Sequence, residues 1–560
     1  MMKSRYIFIV LMLVVFAMAC GDKDTDTPPP PPPAPANFNL TTFSVNSIAS
    51  QANIYNVNKT PVVRFRFPVP INRSTVASNI QFRDNSANPV SYNVSYENAD
   101  SVVIVQPSSP LANLSRYTVT LADQLKSVAG GRLLTSSTIA MVTAIDSSRK
   151  FPIIPDDELL TLVQRQTFKY FWDFAHPVSG LARERNTSGE TVTSGGSGFG
   201  IMAIVTGINR GFITRAQGLA RMQTMVGFLK NTAQKFHGAF PHWLNGSSGV
   251  VIPFSTKDNG ADLVETSYLM MGLLTARQYF NGGDAAETTL RSDINTLWNG
   301  VEWQWFRQNN SNVLYWHWSP NYNWEMNHPI RGWNECLITY VLAASSNSFA
   351  IPASLYTTGW AGNGANGFIN GNTYYGHQLP LGPSHGGPLF FAHYSFLGIK
   401  PEGLSDVYAN YLTQNTRHTL INNSYCRANP AGHFGYSDSV WGLTASDVPS
   451  GYAASSPTND LGVIAPTAAI SSIPYTPVES MKALKFFYYV LGDKLWGEYG
   501  FKDAFSLKDI WFANSYLAID QGPIIVMIEN HRSGLLWNLF TSCPEVKTGM
   551  LSLGFSAPYL

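Results

Sequence analysis

Near residue 150 the hydrophobic period of the chain changes, and that change limits the architecture more than any single motif. Up to residue 145, apolar side chains alternate with polar ones in short runs such as 62–67, 101–105 and 117–121, each closed by Pro, Asn, Ser or Gly. Alternation of this kind belongs to strands with one face buried, and it predicts a β-sandwich of roughly seven strands over residues 37–145. From Asp156 onward the apolar residues recur at helical spacing. Helices are expected over 157–175, 198–209, 214–230, 261–280, 285–306, 332–344, 404–420, 477–491, 507–515 and 522–540, separated by long Gly-, Asn- and Trp-rich loops. Helix follows helix without an intervening strand. Residues 156–560 are therefore expected to form an all-α toroid, an inner ring of helices wrapped by an outer one, with the loops at one end forming the site. Residues 146–155 read as the linker between the two units.

The first 36 residues belong to neither unit. Lys3 and Arg5 precede the apolar run Ile7 to Val15, and the small residues Ala17 and Ala19 lead into Cys20. Residues 1–20 read as a secretory signal and resemble those of bacterial lipoproteins, in which the cysteine carries the lipid. Ordinary cleavage at the same place is the alternative. The run is too short to span a bilayer with ease, so membrane attachment is expected only through the lipid on Cys20. Residues 21–36 are a linker: an acidic segment from Gly21 to Asp26, similar to the export tag of surface lipoproteins, then a proline spacer that is stiff in the polyproline II conformation. The expected location is the bacterial outer membrane, facing the surface or the periplasm. Three further cysteines, Cys336, Cys426 and Cys543, are an odd number and imply no disulfide framework.

Lys and Arg total 37 and Asp and Glu 36, a balance that excludes nucleic acid as a natural partner. Charged residues make up 13%, well under the roughly 25% of typical domains, and aromatic residues also reach 13%. A large neutral ligand fits that surface better than a charged one. The densest aromatic stretch is 314–342, where Trp316, Trp318, Tyr322, Trp324 and Trp333 stand beside Glu325, Glu335, Arg331, His317 and His328. Sugars suit such a loop, because a pyranose face stacks on flat rings while its hydroxyls take forked polar partners. Glu335 falls in what reads as the first turn of the helix over 332–344, either as a cap or as a chemical group set over the rim. Asp262 and Glu265, three apart, share one helical face, and Asp258 precedes them. Asp520 reads as an N-cap with Pro523 just inside the helix. Each acid alone could be a cap; acids at three separate helix starts point to chemistry.

Paired carboxylates among sugar-stacking rings are the pattern of glycoside hydrolysis. The sequence has no His-Glu-x-x-His, no Cys-x-x-Cys, no phosphate-binding Gly-x-x-x-x-Gly-Lys and no Gly-x-Ser-x-Gly. The glycines of 195–200 read as a flexible rim loop. No cofactor is expected, and no metal: the acids at Asp258, Asp262 and Glu265 lack the twelve-residue calcium loop pattern.

Five motifs, Phe171-Trp172-Asp173-Phe174-Ala175-His176-Pro177, Gly238-Ala239-Phe240-Pro241-His242-Trp243, Asp262-Leu263-Val264-Glu265-Thr266, Gly332-Trp333-Asn334-Glu335-Cys336 and Ala518-Ile519-Asp520-Gln521-Gly522-Pro523, resemble the bacterial glucoamylase-like domain, in particular the β-1,2-glucanases of glycoside hydrolase family 144. The resemblance implies an (α/α)6 toroid and an inverting hydrolase acting on β-1,2-glucan, with Glu335 at the position of the proposed acid and Asp520 at that of the proposed base. It sets Asp258, Asp262 and Glu265 in the same cleft. Further cleft candidates are Trp243, Tyr315, Trp318, Glu325, Arg331, Trp333, Tyr374, His385, Trp441 and Asn530. The sandwich is similar to bacterial Ig-like domains found ahead of secreted carbohydrate enzymes, where a spacer or packing role is expected. The expectation is thus a monomeric endo-β-1,2-glucanase whose partner is a glucan polysaccharide or oligosaccharide. Exo release of sophorose, cleavage of an α-glucan, and a non-catalytic glycan-binding lipoprotein are the alternatives.

Overall fold

The computed structural model describes residues 32–49 and 53–560; Cys20 and the signal and acidic segments lie outside them. The chain divides into two compact units, 1–111 with 116–142, and 112–115 with 143–560.

In the first unit nine strands form two antiparallel sheets. One runs in the order β2 (Ile48–Ala49), β1 (Thr42–Val45), β4 (Val63–Arg66), β7 (Val102–Pro107), β6 (Tyr92–Glu97); the other in the order β3 (Asn53–Val57), β9 (Ser137–Thr143), β8 (Arg116–Leu121), β5 (Ile80–Asp84). Alternation sends Tyr117, Val119 and Leu121 of β8 inward, where they meet Phe65, Val103, Val105, Phe82 and Ile139. One short helix, α1 (Val76–Asn79), leads into β5. Two more strands are present than the seven expected, because the short β2 is fully exposed and carries no alternating pattern to read.

The second unit is helical. Its helices are α2 (Asp156–Trp172), α3 (Ser194–Asn209), α4 (Arg215–Asn231), α5 (Leu263–Tyr279), α6 (Ala285–Asn299), α7 (Leu337–Ser345), α8 (Tyr411–Ala428), α9 (Pro466–Ile470), α10 (Pro477–Tyr489), α11 (Gly492–Leu495), α12 (Ala518–Ser533), α13 (Leu535–Thr541) and α14 (Pro544–Ser552). Two kinds are present. Nearly every residue of α3, α5 and α7 is buried, as is most of α12, whereas α2, α4, α6 and α10 bury one face. Among the described residues no helix is long and apolar enough to cross a membrane. Cys336, Cys426 and Cys543 are free and buried.

The glycines of 195–200 form the first turns of α3 and not a rim loop. They let α3 approach α5 closely: a Cβ on Gly198 would lie 2.1 Å from the Tyr268 carbonyl oxygen, and one on Gly272 2.2 Å from that of Gly198. Other boundaries moved for local reasons. The helix expected from residue 404 starts at Tyr411, because the Asp406 carboxylate accepts from the N–H of Tyr408 and Ala409 in a turn and Asn410 caps the helix. Residues 507–515 contribute the hairpin Phe505–Ser506/Trp511–Phe512 in place of a helix, turning through Ile510 at φ 54°. The helix expected over 522–540 is broken at Gly534, φ 67°, between α12 and α13.

Candidate active site

The first acid group forms where β13 (Ala261–Asp262) pairs with β14 (His317–Trp318), setting Asp262 opposite His317. Asp262 caps α5: Oδ1 accepts from the N–H of Val264 at 3.0 Å and Glu265 at 2.9 Å, and Oδ2 lies 3.1 Å from His242 Nδ1. His317 Nδ1 is 3.5 Å from Asp258 Oδ1 and 3.7 Å from Asp262 Oδ2. Burial alone would raise the Asp262 pKa, but the two histidines and the Glu265 N–H hold it below the ordinary value. Burial would likewise lower His242, yet Glu265, Asp262 and Asp258 carry it up to about 9. His242, Asp258 and Asp262 offer ligand atoms within 4.8 Å of one another. As the side chains stand, His242 Nδ1 pairs with Asp262 Oδ2 at 3.1 Å and lies 3.9 Å from Asp258 Oδ2.

Glu265, one turn into α5, points back at α3. Its Oε2 accepts from the N–H of Gly195 at 2.7 Å and Thr193 Oγ1 at 3.3 Å. A Cβ on Gly195 would fall 2.5 Å from that oxygen, so the glycine is what opens the carboxylate's seat.

Glu335 lies two residues ahead of α7, not in its first turn. Gly332 has φ 78°, Asn334 Oδ1 accepts from the Cys336 N–H at 3.0 Å, and the Ser395 hydroxyl donates to the Glu335 carbonyl while accepting from the Ile338 N–H. The backbone is thereby pinned and the carboxyl remains free of capping duty. Burial first, then the charges of Asp262 and Glu265, push it up to about 7.

Asp520 is inside the first turn of α12, whose N-cap is Leu517, and is 2% exposed. Around it stand carboxylates from three other segments: Asp503, Asp447 and Glu184. The Asp447 N–H donates to Asp503 Oδ2 at 2.6 Å, and Arg185 Nη1 holds both oxygens of Asp447 at 3.2 Å. Burial and these neighbours push Asp520 well above the ordinary carboxylate range, and burial raises Asp503 to about 7. A cavity of about 600 Å³ opens beside them, lined by Arg185, Asp447, Tyr452, Trp511 and Ser515. Tyr394 links the two groups. Its ring packs on Phe199 and Tyr268, and its hydroxyl senses Asp520 and Tyr452 on one side and Glu335 and Glu265 on the other. Tyr394 is thus a shared neighbour of the Glu335 and Asp520 groups.

The Glycoamylase family model matches residues 327–544, and the Bacterial Ig-like domain model matches 40–144. The crystal structure of an endo-β-1,2-glucanase from Chitinophaga pinensis, in complex with sophorotriose and glucose, is 53% identical, with 73% of this chain and 100% of that one covered and a TM-score of 0.71. The chain belongs to the glucoamylase-like family. A second member, the β-1,2-glucanase from Parabacteroides distasonis, is 38% identical with a TM-score of 0.70, covering 92% of this chain and 74% of that one. A third, named exo β-1,2-glucooligosaccharide sophorohydrolase (non-reducing end), also from P. distasonis, is 48% identical over 425 residues, 72% of this chain. The alignment spans only 58% of that relative's own length.

Within this glucoamylase-like domain the residues singled out from the sequence separate into groups. Asp258, Asp262 and Glu265 meet around His242, Glu335 lies near enough to feel Asp262 and Glu265, and Asp520 stands in a separate group with Asp503, Asp447 and Glu184. Trp318 is half-buried in a shelf of rings with Trp305 at 5.4 Å, which in turn reaches Trp324 at 4.8 Å, and Tyr315 joins at 5.9 Å from Trp324. Trp243 lies 5.7 Å from His242 and 4.8 Å from the exposed Phe254. Tyr374 and His385 pack against each other at 4.2 Å with their rings tilted by 38°, and Tyr375 and Tyr425 are further ring neighbours of His385. Glu325 is exposed and pairs with Lys257 at 2.9 Å rather than orienting Arg331, which is also exposed. Three candidates are core residues instead. Trp333 packs between Trp360, Phe396 and Tyr411, Trp441 is fully buried in the second hydrophobic cluster, and Asn530 ties Leu397 O and Trp537 N–H together. Sequence reasoning missed Tyr394, which reads as a core ring at helical spacing, and the whole set Glu184, Arg185, Asp447, Tyr452 and Asp503. These last lie in loops and hairpins far apart in the chain, with no periodic pattern to mark them.

Proposed function

We propose that this chain is an inverting glycoside hydrolase that cleaves β-1,2-glucan from within the polymer, with Glu335 as general acid and Asp520 as the group that receives the proton of the attacking water. The observation that carries this is the Glu335 carboxyl, pushed up to about 7 by burial and by the charges of Asp262 and Glu265, which keeps a proton available at neutrality. Glu335 protonates the leaving glycosidic oxygen while water attacks the anomeric carbon from the opposite face. The Asp258–Asp262–His242 cluster and the Trp318 shelf hold the flanking glucosyl units. We take the fully buried helices as the inner ring and the one-sided helices as the outer ring of an (α/α)6 toroid. Lipid attachment at Cys20 and a monomeric state belong to the same proposal.

The endo reading is favoured because the chain covers the whole of the Chitinophaga endo-glucanase but only 58% of the sophorohydrolase. The name of that second relative supports the exo reading. Incubation with linear β-1,2-glucan tests both. A ladder of product sizes with growing reducing ends supports endo cleavage; sophorose alone supports exo cleavage; no product from β-1,2-glucan sinks the hydrolase assignment.

A further inference from the structure

The carboxyl groups of Asp503 and Asp520 are both 2% exposed and lie within hydrogen-bonding reach of each other. Neither Asp503 Oδ1 nor Asp520 Oδ2 has an ordinary N–H or O–H donor among the described residues. Two carboxylates cannot face each other in a buried site without a proton between them. Their surroundings decide which one carries it. Asp503 Oδ2 receives the Asp447 N–H at 2.6 Å, a bond that favours its ionised form. Asp447, held by Arg185 and by the Ser515 hydroxyl at 2.5 Å, raises both acids and does not decide between them. Asp520 has no comparable donor, and it also faces Glu184, Asp447, Tyr394 and Tyr452. The resting arrangement is Asp520–COOH donating to Asp503–COO⁻.

A protonated Asp520 cannot accept a second proton at its acid oxygen and remain neutral. Building on the hydrolase reading above, we propose that the proton of the attacking water ends on Asp503, handed on through Asp520, and that Asp503 is the positioning residue which makes Asp520 competent as a base. As water attacks the anomeric carbon, one of its O–H bonds breaks and the proton bonds to Asp520 Oδ1, while the proton already on Asp520 passes to Asp503. The pair goes from one negative charge to none. Glu335 loses its proton to the leaving oxygen and gains one negative charge, so the total charge of the site is unchanged. A proton returning from the pair to Glu335 through solvent restores both groups.

The test uses the full chain and the variants D503N, D503E and D520N, with two readouts. In kcat against pH on linear β-1,2-glucan, D503N is expected to lower kcat about tenfold or more. It is also expected to move the acid limb by about one pH unit or more, because the limb then reports the ionisation of a lone Asp520 in place of the first ionisation of the pair. D503E is expected to return the limb towards its parental position. In infrared titration of the resting protein, which needs no substrate and is run in the Glu335→Gln background so that Glu335 adds no acid band, a carboxylic acid band present at neutrality is expected to vanish in D503N and in D520N alike. A fall in kcat with an unmoved limb, or a band that survives in D520N, overturns the relay. If D503N does not fold, the D520N spectrum decides alone. A parent inactive on β-1,2-glucan overturns the hydrolase reading and the relay with it, whereas an active parent whose limb ignores position 503 overturns only the relay.

Discussion

Asp262 and Asp520 are the same side chain, almost equally buried at the start of a buried helix, and they take opposite charge states. Asp262 has two backbone N–H donors and two histidines, and is held below the ordinary carboxylate range. Asp520 has no N–H donor for its Oδ2 among the described residues and three carboxylates for company, and is pushed well above it. The helix dipole favours an anion at both positions. The difference teaches that in a dry cleft the partners that complete the site, not the helix terminus, decide whether an acid holds charge or a proton. One acid can then hold substrate hydroxyls as a fixed anion while another handles protons.

The sharpest way to break this contrast is by activity. Asp520→Asn and Glu335→Gln are each expected to lower kcat on β-1,2-glucan by about 10³, within the usual range for losing a general acid or base, with no fall in unfolding temperature. Measured by reducing-end release, near-parental turnover in either variant would refute its role.

Stability separates the two aspartates in the opposite sense. Asp262→Ala removes a helix cap, worth about 1 kcal/mol, and leaves the buried His242 cation without its closest partner, so the combined loss is expected to reach about 3 kcal/mol in denaturant titration. A loss below that of an ordinary surface substitution means the cluster carries no net charge pairing.

Glu335 stands between the two and gives a pH signature. Burial lifts it from 4.5 to about 7, so the folded protein keeps a proton there that the unfolded chain releases. The stability gained by holding that proton is complete below about 4.5 and is lost as the pH rises through about 7. Glu335→Gln cannot ionise. It is expected to match the parent near pH 4 and to exceed it at pH 8 by at most about 3 kcal/mol, read from melting curves at both pH values. Equal differences at the two pH values remove the raised Glu335 from the account.

What the sequence disclosed follows from the same physics. Period changes and cap residues are local, so the two units and most helices were readable, and acids beside aromatic motifs marked Asp258, Asp262, Glu265, Glu335 and Asp520. Trp333 and Trp441 misled because indole density looks alike in a loop that lines a cleft and in one that fills a core; only packing against Trp360 and Tyr411, or against the second cluster, tells them apart. The 195–200 glycines misled because close helix packing and loop flexibility use the same residue. Asp447 and Asp503 had no signal, since their meaning comes only from contacts that no periodicity marks: Asp447 with Arg185, 262 residues away, and with Asp503, 56 residues away.

The smallest effect is also the most direct reading of the contrast. Asp262→Asn keeps the Oδ1 acceptor that caps α5 and removes only the charge, leaving the helix start intact. His242 then loses the nearest of the three carboxylates that hold its proton, while burial continues to disfavour the cation. Its titration midpoint, followed by NMR of the imidazole Cε1–H, is expected to fall from about 9 by about one pH unit, equivalent to about 1.4 kcal/mol. The same measurement on Asp520→Asn is expected to leave His242 in place, because Asp520 is not among the groups that raise it. A midpoint that moves equally in both variants means the clusters behave as one titrating system. A midpoint that moves in neither means that Glu265 and Asp258 suffice, and that the ionised state of Asp262 owes more to the α5 backbone than to the histidines.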